Sequence, residues 1–130
     1  MSGAVLLDTH AFLWYAATPA VMPRLAYDAV TNASEAFVSA ASVWEVRTKY
    51  RLGKLPIAAA VTAAGIPAAI AQLGLQTLSV DVEDGDLAGG FAQAHRDPFD
   101  RMLAAQAIQR GLALVSNDAA LDVFGVTRVW

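Results

Sequence analysis

Cysteine is absent from the 130-residue chain, which removes disulfides, thiolate nucleophiles and sulfur-ligated zinc together. The expected setting is therefore cytoplasmic. Long hydrophobic runs are missing too. The most apolar stretch, "IAAAVTAAGIPAAIAQLGL", is Ala-rich and interrupted by Gly65 and Pro67, so nothing reads as the ~20 residues of a membrane span. No basic segment precedes the short apolar run in "MSGAVLLDTH", which predicts no signal peptide. Positive charge is scarce. Nine Lys and Arg stand against twelve Asp and Glu, a net charge of −3, which argues against indiscriminate coating of nucleic acid.

What is present is apolar: 56% of residues are hydrophobic and 16% charged. That surplus favours an oligomer or an obligate partner. The length suits one domain, residues 1–130, with a core of its own. Along the chain, "GAVLL", "EAFVS", "LQTLSV" and "LALVS" are short apolar strand candidates, with "TRVW" as an edge strand. Helices are predicted over "AFLWYA", "PRLAYDAVTNA", "ASVWEVRTKYRL", one or two segments of 56–73, "VEDGDLAGGFAQAHR", "PFDRMLAAQAIQR" and "DAALDVFG". Strands alternating with helices specify an α/β domain with a mostly parallel sheet of four to five strands, doubly wound. Such sheets place their sites beyond the carboxyl ends of the strands.

The charges are distributed unevenly. Arg47, Lys49, Arg51 and Lys54 fall together, either a solvated face or a ridge for a polyanion backbone. The stretch "HRDPFDR" reads first as a capped helix start, with Asp97 as N-cap, Pro98 in the first helical position and Asp100 placed to close a capping box. Yet Asp8 follows the first strand, Asp118 follows the fourth, and Glu45 lies in a helix whose Val43, Val46 and Tyr50 mark a core-facing side. If strands one and four are neighbours, these acids converge on one crevice with Asp100. Two carboxylates ~4 Å apart repel by roughly 4 kcal/mol at an effective dielectric of 20. A cluster therefore needs a counter-ion or raised pKa values. Oxygen ligands without cysteine favour Mg2+, with Mn2+ as substitute, over zinc. The chemistry that fits is phosphodiester hydrolysis by a metal-activated water, with Arg96 and Arg101 as candidates for substrate phosphates.

The segments "LLDTHAFLW", "SVWEVRTKYRLGKL", "HRDPFDRMLAAQA" and "LVSND" resemble the PIN-domain family, in particular its small bacterial toxin ribonucleases of VapC type. They span nearly the whole chain. The resemblance implies a doubly wound α/β fold and a Mg2+- or Mn2+-dependent endoribonuclease. It implies metal-binding catalytic acids at Asp8, Glu45, Asp100 and, at a more variable position, Asp118. Thr9, Asp97 and Asn117 are expected to support those acids. It also implies an RNA substrate, a homodimer and a cognate antitoxin whose segment wraps a groove; the 56–73 region and an exposed Trp14 and Tyr15 would suit that groove.

Other readings are weaker. "DVEDGD" lacks the Glu at position twelve of a calcium loop, where Ala92 stands. A metal-free ribonuclease would rely on His10 and His95 alone. A phospho-receiver needs a Lys beyond a late strand, and both lysines lie in or just after the 40–52 helix. A catalytically inactive PIN-like RNA- or protein-binding module remains the alternative that only activity can separate.

Overall fold

The computed structural model describes residues 3–130. Five strands, β1 (Val5–Leu7), β2 (Ala36–Ser39), β3 (Gln76–Leu78), β4 (Ala113–Val115) and β5 (Arg128–Val129), form one sheet in the order β3-β2-β1-β4-β5. Every pairing is parallel. The central strands are apolar at successive positions because both faces are covered: Leu6 points to one core with Leu114, while Val5 and Leu7 join Val38 and Val115 in the other. The chain runs outward from β1 to β3 and returns on the far side of β1 as β4. This makes the β1–β4 boundary the switch point, and the register Leu7↔Val115 ends both strands level there.

The first core is closed by α1 (Thr9–Ala17), α2 (Arg24–Thr31), α3 (Ala40–Arg51), α4 (Ala59–Thr62) and α5 (Ile66–Gln72), through residues such as Phe12, Val30, Val46, Val61 and Ile70. The second is closed by α7 (Pro98–Arg110), through Leu103, Ala104 and Ala107, with α6 (Val82–Gly90) packed along it. Gly65 separates α4 from α5 at φ 93°, a conformation that only glycine adopts cheaply. Among the described residues, no helix is long and apolar enough to cross a membrane.

Three expectations need correction. The helix after β3 ends at Gly90 instead of running to residue 96, because the pair Gly89–Gly90 weakens it and the carbonyls beyond are claimed by another group. "DAALDVF" winds as 3-10 turns, Ala119–Phe124, rather than α-helix. Trp14 and Tyr15 are half-buried, Trp14 against Trp130 at 5.4 Å between ring centres and Tyr15 against Tyr27 at 5.7 Å.

Candidate active site

The residue after β1 is Asp8. Its backbone is still extended, and its carboxylate caps α1 by accepting from the Ala11 N–H at 2.8 Å. Capping turns the side chain inward, where it is 7% exposed. Burial raises its pKa from 3.8 to about 6, although the Ser116 hydroxyl, the Ala11 amide and nearby His10 pull the other way. Among the described residues it has no ion-pair partner.

Ser39, the last residue of β2, caps α3 by accepting from the Ala41 N–H. This sets the helix phase that brings Glu45 to the core side, where it is 4% exposed. Thr9 Oγ1 donates to Glu45 Oε1 at 2.5 Å and lies 3.0 Å from Ser42 Oγ. Lys49, one turn on, donates to Glu45 Oε2 at 2.5 Å, and that bond raises the lysine's pKa. The counter-charge that composition alone assigned to a cation is therefore partly supplied by the chain. The i,i+4 spacing of Glu45 and Lys49 was the available signal.

At the start of α7, Asp97 accepts from the N–H groups of Phe99 at 2.9 Å and Asp100 at 3.2 Å, as an N-cap does. Asp100 does not close a capping box. Its carboxylate meets His95 Nε2 at 2.9 Å. Burial pushes the Asp100 pKa up, the His95 bond opposes this, and the neighbouring Asp97 and Glu45 charges add to it. After β4, Asp118 caps the 3-10 turn through the Ala120 N–H at 3.0 Å, and its own N–H donates to Ser116 Oγ.

Asp8, Thr9, Glu45, Asp97, Asp100, Asn117 and Asp118 line one cleft of about 400 Å3, together with His10 and Lys49. Among the described residues, no three carboxylate or imidazole groups are close enough together to hold a metal ion as they stand. The donors fit a hard divalent cation in kind, being oxygen-rich and including a buried acid without an ion pair.

The basic residues separate. Arg96 and Arg51 are exposed, and Arg47 is exposed with its guanidinium donating to the Thr62 carbonyl at 3.3 Å. Arg101 is committed elsewhere. It donates to the carbonyls of Ala88, Phe91, Gln93 and His95, all within 2.9 Å, and so pins the 91–97 loop instead of facing a phosphate. Neither this role nor the His95–Asp100 pair has a spacing signature in the sequence.

A family model described as PIN domain matches residues 5–126. Ribonuclease VapC22 of Mycobacterium tuberculosis (strain ATCC 25618 / H37Rv) is 29% identical over 120 residues, covering 90% of this chain and 88% of that protein. Among solved structures, FitAcB from Neisseria gonorrhoeae superposes with TM-score 0.62 at 19% identity, covering 95% of each chain. VapBC-5 from Mycobacterium tuberculosis, a member of the VapBC family of toxin-antitoxin systems, gives 0.58 at 18% identity, covering 96% of this chain and 94% of that one. A toxin-antitoxin complex from Klebsiella pneumoniae gives 0.63 at 12% identity, covering 97% and 96%. At these identities the structures share the fold.

Proposed function

The chain belongs to the PIN-domain family, and on that premise we propose that it is a divalent-metal-dependent endoribonuclease, the toxin of a toxin–antitoxin pair. The observation that carries this reading is the convergence of Asp8, Glu45, Asp97, Asp100 and Asp118 on one cleft at the switch point of the sheet. The resemblance to a ribonuclease over 90% of the chain supports the substrate class. The toxin–antitoxin complexes among the structural neighbours support an antitoxin partner. A homodimer is part of the same reading, consistent with the apolar composition.

Asp8, Glu45 and Asp100 are the residues that would hold the cation, Mg2+ with Mn2+ as substitute, and Asp118 completes the set from the β4 side. When bound, such an ion supplies Lewis acidity and a nucleophilic water near neutral pH. The chain does the rest. Thr9 holds one oxygen of Glu45 and Lys49 the other, which fixes the orientation of the carboxylate that would bind the ion. Lys49 also lines the cleft, where its ammonium would serve as a cation for a substrate phosphate. Asp97 holds the helix start that aims Asp100, and Asn117 offers a carboxamide at the rim. Exposed Arg96, Arg47 and Arg51 are the candidates for the flanking RNA backbone.

The test is cleavage of RNA by purified protein, freed of antitoxin, with Mg2+ or Mn2+ and with EDTA. Wild type is expected to cut only with metal. Asp100→Asn should lose roughly 100-fold or more, and Asp97→Asn, which keeps a capping oxygen, less than about tenfold. Equal inertness of wild type and Asp100→Asn under both metals sinks the nuclease reading, and a greater loss in Asp97→Asn overturns the division of roles.

A further inference from the structure

Beside the acidic cleft lies an apolar one that the proposed chemistry does not use. Its volume is about 330 Å3, and its lining includes Ala41 and Trp44 of α3, Phe99 and Met102 of α7, and Val80. That is room for a small flat ligand. Trp44 is 67% exposed, yet it is braced: its ring meets Phe99 edge to face, with centres 5.2 Å apart and planes at 77°.

Position decides what this cleft receives. Trp44 immediately precedes Glu45 and Phe99 immediately precedes Asp100, so both walls are one residue away from carboxylates of the acidic cleft. Lys49 joins the two. Its ammonium pairs with Glu45 and stands 6.0 Å from the centre of the Phe99 ring, within cation–π range. An occupant that engages both clefts must carry a flat apolar group a few atoms from an anion. A nucleotide has that constitution.

We infer that the cleft between Trp44 and Phe99 receives an unpaired nucleobase of the RNA, next to the scissile phosphate, stacked on the exposed face of Trp44. The identity of the substrate rests on the nuclease reading above. Because the lining side chains are apolar, the base is held by its π-face and its hydrogen-bonding edge is left unread, which makes this subsite tolerant of sequence. It selects unpaired over paired RNA, since a base within a duplex has no free face to offer.

The test uses the full chain and an unstructured RNA twelve-mer of mixed sequence. Binding is read by fluorescence anisotropy with Mg2+ in the Asp100→Asn background, and cleavage is read with Asp100 intact. Trp44→Ala should weaken binding and raise KM by roughly 5- to 100-fold, with kcat within about threefold of wild type and Trp44→Phe recovering most of the loss. Abasic copies of the RNA, altered at one position at a time, should include one that binds the Trp44-bearing protein comparably more weakly. Trp44→Ala should be nearly indifferent to that same lesion. Equal sensitivity of the two proteins to it overturns the subsite. Unchanged RNA affinity with a shift from dimer to monomer on size exclusion also overturns it, and gives the cleft to a second copy of the chain. Failure of the wild type to cleave sinks the nuclease reading alone, because the anisotropy arm still reports whether Trp44 stacks a base.

Discussion

Asp8 caps α1 at the cost of its own hydration. As a cap it must point inward, and pointing inward removes it from water. Its carboxyl pKa is raised from 3.8 to about 6, so the folded state binds its proton more tightly than the unfolded state does. The contribution of Asp8 to stability is therefore greatest below the unfolded value and is lost as pH rises through about 6. In EDTA, Asp8→Asn, which retains a capping oxygen, should raise the melting temperature at pH 7.5 and change it little at pH 4. The gain is on the order of 2–3 kcal/mol. Adding Mg2+ at pH 7.5 should stabilise the wild type and not the variant; equal stabilisation of both would remove Asp8 from the ligand set. Asp8 was legible because it follows a strand and precedes a helix. Its raised pKa was not, because desolvation depends on the distant chain segments that close around it, against the lowering effect of the Ser116 hydroxyl.

At the scale of elements, the start of α7 is defined from both sides. Locally, Asp97 and Pro98 set the first turn, as "RDPFD" predicts. From a distance, Arg101 draws the carbonyls of residues 88–95 around its guanidinium, and the loop so formed delivers His95 to Asp100. An arginine that follows an acid reads as a phosphate contact until its partners are known, and here those partners are backbone oxygens that no pattern announces. Arg101→Ala should cost about 2–4 kcal/mol in urea denaturation and speed amide exchange across 91–97. If the loop exchanges as slowly as in wild type, its order comes from something other than Arg101. A second tie holds α6 to the same helix. Arg110 donates to both oxygens of fully buried Asp84, and although burial works against that charge, these bonds and the Asp81 amide hold the Asp84 pKa below its usual range. The early end of α6 is thus compatible with firm packing, since its first turns are anchored by a capping box and this ion pair.

For the whole molecule, the order β3-β2-β1-β4-β5 is the decisive arrangement. Placing β1 beside β4 sets Asp8 two residues short of level with Asp118 at the same end of the sheet, and the helices that follow β2 and precede β4 bring Glu45 and Asp100 to the same cleft. On the proposed function, the protein should arrest growth when its expression is induced without antitoxin. Asp8→Ala should relieve the arrest, as read by culture density and by intact cellular RNA. Equal arrest by the variant would trace toxicity to binding or aggregation rather than to hydrolysis. The alternation of short apolar strands with helices, the cap at Asp97 and the acids that follow strands were all determined by the sequence itself. They are local, and hydrophobic period and cap chemistry act within a few residues. Tertiary structure alone decided the rest: His95 against Asp100, Arg101 inside a loop, and Trp44 left bare beside the acids. Those choices depend on which distant segments displace water from a side chain, and desolvation is a property of the assembled fold rather than of any stretch of chain.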